Sequence, residues 1–556
     1  MIKEPVRRVG ADPVGRRARG GTGFSSGASL TVLAGVLVWL ALAVPITIGR
    51  TGPVGLLGIP VEALVIVALS VVLPRRAARI GAAVAGVLLA LLVVLKGLDI
   101  GFLTFFDRTF DVVGDWYYLG PAVGVLADSA GRVVAVLAVI GAAVAIVALL
   151  IGVPAALIRV SGALARHRRR SLIGLAVLSV AALVCTLAQA RIAPGLPVAA
   201  GNTSQAAWTA LTQAAGDASD RQQFTAAVAT DPYAAAPADR LLAGLRGKDV
   251  LLVFVESYGQ VALTDPEIAS VVRPALHAGQ AELQGAGISA RSAWLVSPTF
   301  GGASWLAHST VQSGVWVDSQ QRYDQLIAAQ RLTLTRAFTR AGWRTVTAIP
   351  EMTGRWPQGR PFYGFDRLLT GTDLGYRGPR YGYALMPDQF ILSAFAAREL
   401  TPAPRPPVMA EIDLLSSHSP WVTPPAAVPW DRVGDGSIFR GPAGASTASP
   451  APDARVAYAR TIAYSMRTLA SFAATVDDPN LVILAMGDHQ PHTEVSGTDA
   501  NHQVPIMMIT SDRAVLDRTS GWGWTPGLQP ASDAPVWRMD AVRDRILSTF
   551  GPGAGT

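Results

Sequence analysis

The chain has 556 residues, 50% of them hydrophobic and 15% charged, with a mean hydropathy of +0.35. Soluble domains carry about a quarter charged residues, so this composition argues against a purely soluble enzyme. A net charge of +8 would ordinarily raise nucleic acid as a partner, but residues 1–191 hold 19 Lys/Arg against 8 Asp/Glu and residues 192–556 hold 28 against 31, so no nucleic-acid partner is expected.

In chain order, a basic tail over residues 1–29 (Lys3, Arg7, Arg8, Arg16, Arg17, Arg19) precedes five nearly charge-free runs at roughly 30–49, 54–73, 80–98, 133–158 and 171–190. Each is long enough to cross a hydrocarbon core of ~30 Å. The first is too long for a signal-peptide core and is followed by further runs, so it reads as a span. Arg75, Arg76 and Arg79, then Arg159, Arg166, Arg168, Arg169 and Arg170, join the tail to place 14 of the 19 basic residues on one side. The positive-inside rule makes that side cytoplasmic, and five spans over 30–191 put everything after Arg191 outside. Lys96 and Asp99, near the outer end of the third run, read as an interfacial pair that satisfies itself or meets a lipid headgroup. The single cysteine, Cys185, lies in the fifth run, which excludes a disulfide framework and a cysteine zinc site.

Residues 192–246, rich in Ala, Pro and Gly, read as a juxtamembrane linker with an amphipathic helix around 205–229. From 247 to 556 the pattern becomes that of one α/β domain. Apolar strands are predicted at 250–255, 344–349, 408–415, 480–486 and 504–509, separated by helical stretches, which predicts a mainly parallel sheet covered on both faces. Residues 423–455, rich in Pro, Gly, Ala and Ser, are predicted to form a surface loop.

Ligands of open α/β sheets bind beyond the carboxyl ends of the strands. Two strands end informatively: the first runs into Glu256-Ser257-Tyr258-Gly259 and the fourth into Gly487-Asp488-His489-Gln490-Pro491. Two carboxylates and an imidazole brought to one edge would suit zinc, manganese or magnesium. A third element, Ser297 to Gly314, holds a Gly-Gly turn followed by a run without breakers, which puts Ser304 at a helix start. Unpaired N–H groups there favour an anion, and a metal-bound serine could attack phosphorus. On the segment alone, an ordinary N-cap is the simpler reading of Ser304.

The order of a strand ending in Glu-Ser, a serine ten residues before a glycine, and a strand ending in Gly-Asp-His resembles the alkaline phosphatase and sulfatase superfamily. With five spans and an outward domain, the chain is most similar to the membrane branch containing lipoteichoic acid synthases and phosphoethanolamine transferases, its motif matches lying within about 250–510. The resemblance implies one divalent metal ion, manganese or zinc foremost and magnesium also suitable, held by Glu256, Ser304, Asp488 and His489. Ser304 would be the nucleophile in the place usually held by threonine, a departure that leaves Thr299 as a second candidate. His418, in Ser416 to Trp421, resembles the histidine that holds the substrate phosphate, and His502 a late active-site histidine. Trp356 and Arg360, with Arg355, resemble a Trp/Arg segment that contacts the headgroup, although an arginine-rich surface loop fits them equally well. His308 and His492 read as supporting or structural.

The implied activity is metal-dependent transfer of a phosphoglycerol or phosphoethanolamine headgroup. It would pass from a membrane phospholipid to a cell-envelope glycan or lipid acceptor through a phospho-serine, at a bacterial plasma membrane. Two rivals stay open: an extracytoplasmic phosphodiesterase or sulfatase-like hydrolase, and a non-catalytic lipid-binding envelope protein. A formylglycine sulfatase is disfavoured, because Leu306 and His308 stand where its Pro and Arg are needed. Asp413, five residues before His418 rather than four, keeps a two-metal site open.

Overall fold

The computed structural model describes residues 26–48, 52–193, 196–352, 354, 356–357, 359–439, 453–498 and 500–551. Residues 1–25 of the basic tail, Arg50, Arg355 and residues 440–452 of the 423–455 segment fall outside these. The described residues form two compact units, one drawn from Met1–Val44, Gly55–Leu91 and Val147–Thr203, the other from Pro45–Val54, Leu92–Ile146 and Ser204–Thr556.

The first unit is helical. Five apolar helices overlap the five predicted runs: α1 (Ser26–Ala43), α2 (Val61–Val72), α3 (Arg75–Phe105), α4 (Arg132–Arg166) and α5 (Arg168–Leu187), with Leu92–Phe105 of α3 and Arg132–Ile146 of α4 belonging to the second unit. Among the described residues, α3, α4 and α5 are the helices long and apolar enough by themselves to cross a membrane; the described parts of α1 and α2 are shorter. Their side chains are apolar all round and exposed, Val133 by 73% and Ile151 by 67%, which suits a lipid environment. α3 approaches α4 closely at Gly86, where a Cβ would sit 2.4 Å from the Pro154 Cα; small residues at such crossings let helix backbones meet. Arg159 of α4 donates to the Gly27 carbonyl (2.8 Å) and to Thr31 Oγ1 (3.1 Å) on α1.

The second unit contains a nine-stranded sheet. Its strands are β1 (Asp249–Val255), β2 (Ser289–Val296), β3 (Arg344–Ile349), β4 (Arg367–Thr370), β5 (Val408–Leu414), β6 (Leu481–Gly487), β7 (Gln503–Thr510), β8 (Thr525–Pro526) and β9 (Val536–Arg538). The order is β8-β2-β7-β6-β1-β5-β3-β4, with β9 beside β2. From β6 to β4 all neighbours are parallel, whereas β7 runs antiparallel to both β6 and β2. The sheet is therefore mixed and mostly parallel. The reversal has a local cause: residues 488–502 between β6 and β7 hold only the short helix Thr493–Ser496, and without a crossover helix the chain returns antiparallel. Apolar cores cover both faces. A long α6 (Asn202–Ala229) falls where the amphipathic helix is predicted. α7 (Pro266–Gly285) and α9 (Ala454–Thr475) bury their apolar stripes on one face, and α8 (Ser304–Ser313) buries Ala307 and Val311 on the other.

Residues 423–439 of the 423–455 segment are mostly exposed or half-buried irregular chain, as expected of a surface loop, and they are anchored by Val433 and Phe439, which are buried in the core, and by Trp430, which packs against it. Asp99, near the end of α3, accepts from the Phe110 N–H (2.9 Å) and is buried, so it satisfies itself within the protein.

Candidate metal and nucleophile site

Sheet register delivers the two carboxylates. β6 pairs with β1 so that Gly487 faces Val255, and the next residues, Asp488 and Glu256, leave the sheet side by side. A Cβ at Gly487 would meet the Tyr258 carbonyl oxygen at 2.0 Å, so this approach requires glycine. Ser257 adopts the left-handed conformation (φ 56°), which costs strain that functional sites often hold. Its N–H and that of His489 both donate to Asp488 Oδ1 (2.7 Å each), and its hydroxyl donates to Glu256 Oε1 (2.7 Å). One oxygen of each carboxylate is thereby occupied and the other is available to the site.

Ser304 opens α8. The preceding Gly301-Gly302-Ala303 turn has positive φ at all three residues (69°, 158° and 64°), and Ala303, not Ser304, occupies the cap position. Freed from capping, the Ser304 hydroxyl lies 3.0 Å from Glu256 Oε2 and 3.2 Å from His489 Nε2. His489 Nδ1 lies 2.8 Å from the Gln490 carbonyl. That contact assigns the proton to Nδ1 and leaves Nε2 as an acceptor facing Ser304. Donor atoms of Glu256, Asp488 and His489 lie within 4.8 Å of one another, and Asp488 Oδ2 is buried without a hydrogen-bond partner among the described residues. Two carboxylates, an imidazole lone pair and a hydroxyl fit one divalent cation, which would satisfy that orphaned oxygen. Burial, with the neighbouring Glu256 charge, pushes the Asp488 carboxyl up to about 6.

The turn carrying Ser304 is pinned from two sides. Toward the sheet, the Gly301 N–H donates to the Gln490 carbonyl (2.9 Å) and the Ser297 hydroxyl to the Asp488 carbonyl (2.5 Å). On the other side lies the end of α3. A Cβ at Gly301 would fall 1.6 Å from the Phe105 carbonyl oxygen, Thr493 donates its hydroxyl to the Thr104 carbonyl (2.6 Å), and Tyr117 and Tyr118 stack edgewise or tilted on Trp305. A bidentate Arg108–Asp115 pair (2.6 and 2.7 Å) holds the connecting loop.

A cavity of about 430 Å³ opens beside this cluster, walled by Tyr117, Trp305, Tyr323, Trp356, Tyr363 and Tyr383. Glu256, Ser304, Asp488, His418 and Trp356 all line it, and His489 reaches it through Ser304. His418 stacks on Tyr383 (3.7 Å between centroids) and its Nδ1 contacts the Ser419 carbonyl. Burial pulls it down to about 4, so at neutral pH it is uncharged, with Nε2 unprotonated. In this state it offers an acceptor, better suited to a substrate hydroxyl than to a phosphate oxyanion.

Two predicted residues lie elsewhere. Arg360 is exposed and donates to the Asp366 carbonyl (3.0 Å); it does not line the cavity, so its placement agrees with the surface-loop alternative. His502 sits behind the nucleophile turn, against the Ser297 carbonyl (3.3 Å) and the Phe300 ring, and is also absent from the lining. Thr299 is buried with its hydroxyl 3.5 Å from Ser297, away from the carboxylates. His492 packs against Trp421 and Phe105, a structural placement. Sequence reasoning missed Glu351 and Glu411, which both line the cavity. The available signal was a pair of acids two apart, Glu411 and Asp413, inside the otherwise apolar β5.

No protein-family model matches the chain, and no curated protein does. Among solved structures it is similar to the lipoteichoic acid synthase LtaP from Listeria monocytogenes, at 14% identity over 57% of this chain and 75% of that one, with a TM-score of 0.37. It is also similar to the soluble domain of lipooligosaccharide phosphoethanolamine transferase A from Neisseria meningitidis (16% identity, 58% and 90% covered, TM-score 0.35). A third is the Streptococcus pyogenes phosphoglycerol transferase GacH in complex with sn-glycerol-1-phosphate (11% identity, 61% and 81% covered, TM-score 0.36).

Proposed function

We propose that the chain is a membrane-tethered phosphotransferase whose sheet domain, over about 247–556, faces the outside of a bacterial plasma membrane. It would move a phosphorylated headgroup from a phospholipid to a cell-envelope glycan or lipid. The observation that carries this reading is the Ser304 hydroxyl, held between Glu256 and His489 at the mouth of an aromatic-walled cavity. Glu256, Asp488, His489 and Ser304 would hold one divalent cation, which when bound supplies the positive charge that acidifies the serine and polarises a phosphoryl oxygen.

The remaining chemistry belongs to the protein. Glu256 Oε2 is placed to accept the Ser304 proton as the serine oxygen attacks phosphorus; the bond from phosphorus to the diacylglycerol oxygen breaks, and that oxygen takes up the proton as diacylglycerol leaves. Ser304 at the first position of α8 puts the unpaired helix N–H groups beside the phosphoryl group. In the second half, an acceptor hydroxyl attacks the phospho-serine, and the neutral Nε2 of His418 is suited to receive its hydrogen bond. The aromatic walls exclude water and favour transfer over hydrolysis. The end of α3 at the nucleophile turn suits a donor that arrives in the membrane.

Incubating the detergent-solubilised full chain with phosphatidylglycerol or phosphatidylethanolamine labelled in the headgroup tests this. Label passing to an acceptor, with diacylglycerol released in equal amount, supports transfer. Release of soluble headgroup alone would assign a hydrolase, and no turnover of either lipid with metal present would favour the non-catalytic reading.

A further inference from the structure

A second group of ligand-type side chains lies outside the Ser304 cluster but lines the same cavity. His308 is four residues after Ser304 on α8, and Glu411 and Asp413 are on one face of β5. His308 Nδ1 lies 3.5 Å from Glu411 Oε1 and 3.7 Å from Asp413 Oδ1, and donor atoms of the three are within 4.8 Å of one another. The ring is oriented by stacking on Phe254, 3.8 Å between centroids and 16° from parallel. Gln312 Nε2 donates to Glu411 Oε2 (2.5 Å), which turns Oε1 toward the imidazole. Asp413 is only 5% exposed, and its Oδ1 has no hydrogen-bond partner among the described residues, as is also true of Glu351 Oε2 beside it in the cavity wall.

Charge balance sharpens the point. Glu256, Glu351, Glu411, Asp413 and Asp488 line one cavity whose described lining contains no Lys or Arg. The exposed Asp324 makes a sixth carboxylate of the lining; buried carboxylates without partners are costly, and a single dication offsets two of the six. A phosphate-bearing substrate would meet strong repulsion there.

We propose that His308, Glu411 and Asp413 form a second divalent-cation site in the cavity, one imidazole and two carboxylates being a donor set for manganese or zinc. It goes beyond the phosphotransferase reading and stands whether or not Ser304 is the nucleophile.

Metal content of the full chain in detergent, equilibrated with Mn²⁺ or Zn²⁺ and freed of excess, tests the site. Two equivalents per chain are expected, falling to one in Asp413→Asn and also to one in Asp488→Asn, which empties the other cluster. The Mn²⁺-loaded wild-type protein should show the electron paramagnetic resonance spectrum of interacting ions, a readout that needs no variant. One equivalent in the wild type, uncoupled Mn²⁺, or two equivalents that survive in a folded Asp413→Asn variant would each overturn the proposal.

Discussion

The two polar clusters of the cavity are built from the same residue types and yet differ in what they hold ready. Around Ser304, backbone N–H groups and a serine occupy one oxygen of each carboxylate, and the imidazole proton is committed to a carbonyl. What remains is a hydroxyl between two acceptors. Around His308 there is no hydroxyl nucleophile; the imidazole itself sits between carboxylates. The difference teaches that a nucleophile is made by what its neighbours have already donated or accepted. Acid and histidine content alone does not make one.

The contrast can be broken from the first cluster outward. Ser304→Ala should lower transfer by at least about 10³-fold while leaving metal content unchanged, because it removes the attacking atom and not the carboxylates. Headgroup release from labelled lipid together with metal analysis checks both halves. Asp488→Asn should cost about 10²- to 10³-fold in kcat and one metal equivalent, since it removes the charge of an inward oxygen. Gly301→Ala must move either the nucleophile turn or the Phe105 carbonyl it would strike, and its φ of 69° disfavours a side chain. A loss of about 10²-fold in kcat is expected from misplacing Ser304, with a lowered Tm.

A smaller effect separates charge from positioning at His418. Burial lowers its pKa to about 4, so its proton is lost as pH rises through about 4 and it stays neutral from pH 5 to 8. His418→Gln should therefore reduce kcat/KM by about tenfold without changing the shape of the pH–rate profile in that range. Arg360→Ala should change kcat/KM by less than about twofold, because its guanidinium serves the Asp366 carbonyl outside the cavity.

Much of this arrangement was legible in the sequence where function coincides with a strand end. The five predicted strands all form, and Glu256, Asp488 and His489 converge because they directly follow β1 and β6. Ser304 was readable as a helix start. Its freedom from capping was not, since that depends on the left-handed Ala303. β2 escaped notice because its first half, Ser289 to Ser292, alternates with polar residues and its hydrophobic pattern is weak. Arg360 and His502 have the right residue type and neighbourhood, but side-chain direction is set by the Asp366 carbonyl and by Phe300, contacts no local pattern encodes. The second cluster joins a helix to a strand more than a hundred residues away, so only the pair of acids inside β5 hinted at it.

The central claim is that Ser304 is the atom to which the headgroup is transferred. Acid-quenching the full chain within its first turnovers on labelled phospholipid, followed by peptide mass spectrometry, tests it most directly. The account predicts a phosphorylated-headgroup adduct on Ser304 that disappears when acceptor is added and is absent in Ser304→Ala. Turnover with an adduct on Thr299, or undiminished turnover in Ser304→Ala, would contradict it.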